Sequence, residues 1–317
     1  MCINKMLCGD MNYFLEPLSP DKNQNIQISP EEYKAYLEAK AQLIETILFE
    51  EKMQYVLSNY RDYEECLLKA ALTDLMGEKK TYHEFQRERG EINRMVVNFL
   101  ASARAYLDHG GHHLKKILKA DAVPDFFPLT KANHYDSSFS YRMMEALRNY
   151  TQHRGFPVHM VSFKRSWVGE SESEKNLEFT IAPKIRVEEL IADRKFKKSV
   201  ASELEDKGER LALTQMLRDY VERLSLIHDV TQKKTQESSQ QALNMVSSAL
   251  DRVKHEFGPD AVKPGIAVIC RSEGAGSDND ASSSLIPEFA ERYRVLTDAN
   301  KPIKNLSKCY VSGKAEK

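Results

Sequence analysis

The chain has 317 residues, of which 41% are apolar and 29% charged, with 13 glycines and 11 prolines. That length is enough for one large or two modest domains with a buried core, and the composition excludes global disorder. A formal net charge of −1 excludes a general pull toward nucleic acid or an anionic membrane, so any RNA contact has to be a local site.

Residues 1–28, with Pro17, Pro20 and an Asn/Gln-rich run, read as an irregular arm. Ser29-Pro30-Glu31-Glu32 then signals a helix start, because Ser caps free amides, Pro fits the first turn and acids suit the dipole. Tyr33, Leu37, Ile44, Leu48 and Val56 mark its apolar stripe. A second helical stretch carries Tyr63, Leu67, Ala70 and Leu75 and closes near Gly77. A third runs from about Tyr82 to Asp108 with Ile92, Val96, Phe99, Ala103 and Leu107 at helical steps, and Gly110-Gly111 is expected to end it. A short piece, Leu114 to Leu118, leads to a loop containing Pro124, Phe126, Phe127 and Pro128. Asp136 is the expected cap of a fourth helix carrying Phe139, Met143, Leu147 and Tyr150, stopped by Gly155-Phe156-Pro157.

The period then changes. Val158 to Phe163 and Leu177 to Ile181 flank the polar turn Gly169 to Ser173 and read as a β-hairpin in which Trp167 packs. Two further helices follow, one with Leu213, Leu217, Tyr220, Leu224 and Ile227, the other with Leu243, Val246, Leu250, Val253 and Phe257. The tract Thr231 to Gln241 between them reads either as a loop or as a solvated helical bridge. Ile266 to Cys270 reads as a strand, 273–284 as a flexible Gly/Ser/Asp loop, and Leu285 to Leu296 as a last short helix. The expected fold is mainly α. It comprises an irregular arm (1–28), a helical bundle (29–157), a β-hairpin insertion (158–186), a long helical hairpin (187–260) and a mixed α/β tail (261–317).

No stretch approaches the roughly 18 apolar residues that span a bilayer, and the first residues lack the apolar core of a secretory signal. The five cysteines (Cys2, Cys8, Cys66, Cys270, Cys309) are scattered and odd in number. Reduced thiols in a cytoplasmic protein, with no membrane partner, are therefore expected.

Chemistry concentrates in Arg148-Asn149-Tyr150-Thr151-Gln152-His153. A guanidinium offers a planar fork suited to phosphate, and an imidazole exchanges protons near neutral pH with a ribose hydroxyl. Five helical steps separate Arg148 from His153 by roughly 140° around the axis, so the two converge only where the helix ends or a second copy completes the site. Leu147-Arg148-Asn149 followed by His153 and a helix stop resembles the active-site motif of HEPN-type ribonucleases. The resemblance covers Glu31 to Pro157. It implies a four-helix bundle, metal-independent RNA cleavage through the ribose 2′-hydroxyl, and two motifs meeting across a homodimer cleft. Toxin or phage-defence biology, with a cognate antitoxin or defence partner, is also implied. In it His153 is the general acid or base, Arg148 stabilises the pentacovalent phosphate and Asn149 orients one of them.

Arg104 to His109 and Arg223 to His228 repeat the Arg-to-His spacing without the asparagine. Asn98, Ser102, Arg104, Asp108 and His109 are candidate supporting residues, set against a plain solvent face of their helix; Arg223 and His228 are expected at the surface. Asp108-His109-Gly110-Gly111-His112-His113 offers metal-ligand chemistry, but the paired glycines leave the geometry undefined and a helix cap is the preferred reading. No metal or cofactor is expected. Phosphate-loop, dinucleotide and nucleophile-elbow motifs are missing from the sequence, and Arg271 to Gly276 reads as linker. The basic run Arg194, Lys195, Lys197, Lys198 reads as a solvated helix face, with a phosphate track as the alternative. The rival functional class is a non-catalytic helical dimerisation or partner-binding protein.

Overall fold

A computed structural model describes residues 11–18, 24–77, 80–169, 175–272 and 281–308. The fold is mainly α, with small antiparallel sheets. Two compact units interleave along the chain. One takes Met1–Glu51, His112–Val123 and Gln232–Ala299, and the other Lys52–Gly111, Pro124–Thr231 and Asn300–Lys317. The sequence suggests consecutive stretches instead, because the three longest helices each contribute residues to both units.

The first unit is built on a four-stranded antiparallel sheet. Its strands are β1 (Met11–Pro17), β2 (Ile26–Ile28), β6 (Ile266–Ser272) and β7 (Ala281–Leu285), in the order β2-β1-β6-β7. The N-terminal arm is thus a strand from Met11, with Leu15 opposite Val268 and Tyr13 opposite Cys270. The expected 273–284 loop also gives way to β7 from Ala281; 273–280 lie outside the described residues. Leu15, Ile266, Val268 and Leu285 are fully buried and pack with Tyr36, Leu43 and Ile47 from helix α1 (Pro30–Leu75), Val246 and Val253 from helix α7 (Leu213–Phe257), and Leu296 from helix α8 (Glu288–Ala299).

Helix α1 begins as expected. The amide of Ser29 donates to Glu32 at 2.9 Å and that of Glu32 to Ser29 Oγ at 3.1 Å, a reciprocal cap stabilising the end by about 1 kcal/mol. No break follows at residues 57–62, because the sequence holds neither Gly nor Pro from Glu31 to Met76. The buried stripe runs through Tyr36, Leu43, Ile47, Met53 and Val56; of the expected residues Val56 is buried, Tyr33, Leu37 and Ile44 are half-buried and Leu48 is exposed.

The second unit holds the rest of α1, most of helix α2 (Tyr82–Ile117), α3 (Phe126–Ser137), α4 (Phe139–His153), the short helices α5 (Val187–Ile191) and α6 (Lys198–Glu205), and the start of α7. Strands β3 (Met160–Val168), β4 (Asn176–Arg186) and β5 (Arg210–Ala212) form its antiparallel sheet. The hairpin is as expected, with Phe163 opposite Ile181. Its packing residue differs, since Trp167 is exposed while Phe163 meets Phe85 at 5.3 Å between ring centroids. Most of the expected turn, 170–174, lies outside the described residues.

Three expectations around α2 are corrected. Gly110-Gly111 does not cap the helix, which continues to Ile117; Gly110 instead lets Phe127 approach so closely that a β-carbon would stand 2.5 Å from its Cζ. The Pro124–Pro128 loop is partly helix α3, with Pro128 in the first turn, where amides lack intrahelical partners and proline is tolerated. Ser138, not Asp136, caps α4. Its extended backbone leaves Oγ free to accept from the Tyr141 amide at 3.1 Å, while Asp136 is still inside α3.

The expected helical hairpin at 187–260 is also corrected: α7 runs unbroken from Leu213 to Phe257. Thr231, Thr235 and Ser239 are buried at four-residue steps, so hydroxyl-bearing side chains continue the stripe where apolar residues lapse. Their hydroxyls have partners on the same helix or on α1. Thr231 Oγ1 donates to the Ile227 carbonyl at 2.8 Å, and Ser239 Oγ lies 3.2 Å from Thr46 Oγ1.

Candidate functional site at the end of helix α4

Helix α4 presents Met143, Met144 and Leu147 to the core of the second unit and leaves Asn149 and His153 exposed. Its last turn ends at His153, where the backbone of Arg154 leaves helical geometry (φ −134°, ψ −64°). Gly155 then passes so close to Tyr150 that a β-carbon would stand 2.9 Å from the phenolic oxygen. Beyond it the chain is clamped. Asn93 donates to the Val158 carbonyl at 3.0 Å and accepts from the Val158 amide at 2.8 Å, and Arg89 donates to the His159 carbonyl at 3.1 Å.

Opposite the helix end stands a turn after α5. The Phe196 amide donates to the Asp193 carbonyl at 2.8 Å, and the Lys195 amide donates to the Asp193 carboxylate at 3.0 Å. Phe196 is buried against Tyr150, with ring centroids 6.3 Å apart. That apolar anchor throws Lys195 and Lys197 outward, one on each side. The expected solvated helix face is therefore a turn.

Together these elements enclose a cavity of about 810 Å³ lined by Asn149, Tyr150, His153, Arg154, Asp193, Lys195 and Lys197, with Ala146 and Phe196. Three cations face one carboxylate. Asp193 also holds Arg154, at 3.4 Å from Nε, and Lys197 bonds the Tyr135 hydroxyl and lies over its ring. Burial, with the nearby Glu189 and Asp193, raises the Tyr150 pKa, so its phenol keeps its proton and can donate. The arrangement can hold an anion with a proton-exchanging imidazole at its edge.

Comparison with family models, with curated proteins and with solved structures finds no match.

Of the motif residues, Asn149 and His153 line the cavity and Arg148 does not. Arg148 Nη1 donates to Asn149 Oδ1 at 3.0 Å, while its Nε is buried without a hydrogen-bond partner. The guanidinium thus reaches the cavity only through Asn149.

None of the five supporting candidates lines the cavity. Asn98 and His109 are exposed, and Ser102 bonds the Phe99 carbonyl of its own helix at 2.9 Å. Arg104 bridges Asp108 at 2.6 Å and Glu145 at 3.1 Å, and Glu145 accepts from the buried Tyr220 hydroxyl at 2.5 Å. These groups tie α2 to α4 and α7.

The expectation that His228 lies at the surface is corrected, while Arg223 stays partly exposed. His228 is fully buried with Nδ1 3.2 Å from the Tyr106 hydroxyl, and Arg223 pairs with Asp219 at 3.0 Å. In the 108–113 cluster, His113 bonds Glu45 at 2.8 Å. Among the described residues no group of three or more His, Cys, Asp or Glu is placed to hold a metal ion, and no helix is long and apolar enough to cross a membrane.

Sequence reasoning missed Asp193, Phe196 and Arg154. The signal for the first two was Asp193 and a lone aromatic embedded in a basic run; for Arg154 it was only position, next to the motif.

Proposed function

We propose that this cavity is the catalytic site of a metal-independent endoribonuclease of HEPN type. The observation that carries the reading is that His153 and Asn149 line one cavity with Arg154, Lys195 and Lys197. An imidazole beside three cations is what cleavage of an anionic backbone requires. The 2′-hydroxyl oxygen bonds to phosphorus as its proton passes to His153. The bond to the 5′-oxygen breaks, and that oxygen receives the proton. The products are a 2′,3′-cyclic phosphate and a 5′-hydroxyl. Arg154, Lys195 and Lys197 hold the charged phosphoryl oxygens, while Arg148 positions Asn149. A homodimer and a toxin or phage-defence role accompany this reading through the resemblance of the motif.

The test is cleavage of single-stranded RNA by the intact chain in EDTA. Activity yielding cyclic phosphate ends, lost by about 10²–10⁴ in His153→Ala, supports the reading. Equal rates in both proteins overturn it, as does a requirement for added metal.

A second reading, a non-catalytic partner-binding module, draws on one observation. Leu68, Leu72, Leu75 and Met76 are exposed along one face at the end of α1, an unusual cost for a free surface. The same assay separates the two.

A further inference from the structure

The residues of helix α4 that line the cavity are Ala146, Asn149, Tyr150 and His153, at the steps of three and four that make one helix face. Tyr150 and His153 are therefore neighbours on that face, with β-carbons about 5–6 Å apart. The half-buried Tyr150 ring packs edge-to-face on Phe196 and His159, at 6.3 and 6.2 Å between centroids. Its hydroxyl makes no hydrogen bond among the described residues, and Gly155 beside it carries no side chain to cover it. Burial first, then Glu189 and Asp193, keep the phenol protonated. A fixed ring with an unengaged hydroxyl in a cationic cavity is placed to give a proton.

We infer that Tyr150 is the general acid that protonates the departing 5′-oxygen, with His153 as the base. This rests on the ribonuclease reading of the cavity. The entering and leaving oxygens lie on opposite sides of phosphorus, so one imidazole does not serve both. His153 takes the proton of the 2′-hydroxyl as that oxygen bonds to phosphorus. The bond from phosphorus to the 5′-oxygen breaks, and the 5′-oxygen takes the phenolic proton. The imidazolium then returns its proton through water to the phenolate, which restores both groups. Among the other proton-bearing groups, the guanidinium of Arg154 does not give up its proton, and Lys197 bonds the Tyr135 hydroxyl.

The experiment uses the intact chain and two copies of an RNA that it cuts at a mapped phosphate. One copy has the ordinary 5′-oxygen there and the other has sulfur. A thiol ionises near about pH 8.5, whereas an alcohol resembles water at about 15.7, so the sulfur departs without a proton. At saturating RNA, Tyr150→Phe should cleave the oxygen substrate about 10²–10⁴ more slowly than the parent and the sulfur substrate at nearly the parent's rate. His153→Ala should be slow on both. Phenylalanine keeps the ring packed and removes no hydrogen bond, so the fold is retained. A parent-like rate for Tyr150→Phe on the oxygen substrate, or an equal loss on both, overturns the acid role and leaves the His153 site standing. Sulfur rescue of Lys195→Ala in place of Tyr150→Phe does the same and gives the role to that ammonium. A parent chain that cuts no RNA in EDTA overturns both readings.

Discussion

Gly110 stands about two turns before the end of helix α2 facing the buried ring of Phe127, and a β-carbon there would lie 2.5 Å from Cζ and 2.9 Å from Cε1. Gly90 lies in the same helix with nothing within 4 Å of its notional β-carbon. Alanine gains roughly 0.5–1 kcal/mol over glycine inside a helix, but overpacking a fixed ring costs about 1–3 kcal/mol. Gly90→Ala should therefore raise the denaturation midpoint and Gly110→Ala should lower it. Urea titration of both variants checks the opposite signs; stabilisation by both would show that Phe127 yields freely.

Those glycines also show what the sequence could and could not disclose. Gly110-Gly111 looks like a helix end because backbone freedom is visible in sequence and a close neighbour of Gly110 seventeen residues onward is not. The start of α1 was legible, since Ser29 and Glu32 satisfy each other locally. So was the stop after His153. Helix α7 was divided in two because Thr231, Thr235 and Ser239 bury hydroxyls where an apolar period is sought. At the site, local spacing located Asn149 and His153. The opposing wall, held by Phe196 on Tyr150, comes from more than forty residues away and leaves no local pattern.

Arg148 and Asn149 should behave as one unit in RNA cleavage. Arg148 Nη1 bonds Asn149 Oδ1 at 3.0 Å and only Asn149 lines the cavity. Residues that share one contact are not additive. The double variant Arg148→Ala with Asn149→Ala is expected to lose no more rate than the worse single variant, whereas His153→Ala adds its own loss to either. Rates that multiply for Arg148 and Asn149 would place the guanidinium on the phosphate independently.

Lys195 and Lys197 should govern the salt dependence of RNA binding rather than its sequence preference. Each lysine that contacts a phosphate releases counterions, and its loss lowers the slope of log affinity against log salt by about one or slightly less. Replacing both by alanine is expected to weaken all single-stranded sequences alike and to flatten that slope by about one to two. Anisotropy titrations across a salt series measure it. An unaltered slope would leave the two ammonium groups as solvated surface charges.

Stability should fall in mild acid through His159. The Arg186 amide donates to His159 Nδ1 at 3.1 Å, so the neutral ring carries its proton on Nε2, and a second proton would have to displace that bond. Burial lowers the His159 pKa, with Arg186 and Arg89 adding to the effect and Glu189 opposing it. Below the ordinary histidine value of about 6.5 the unfolded chain takes up a proton that the folded chain refuses. The stabilising contribution is therefore complete above about pH 6.5 and drains away as pH falls toward the lowered folded value. His134 has the same sign, lowered chiefly by burial with Arg223 assisting and Asp219 opposing, so some acid dependence belongs to it. His159→Asn supplies an acceptor oxygen near the Nδ1 position and cannot titrate. Its stability should match the parent at pH 7.5 and fall less steeply between pH 6.5 and 5. Urea midpoints at those pH values decide the matter, and parallel acid curves for parent and variant would assign the titration to another group.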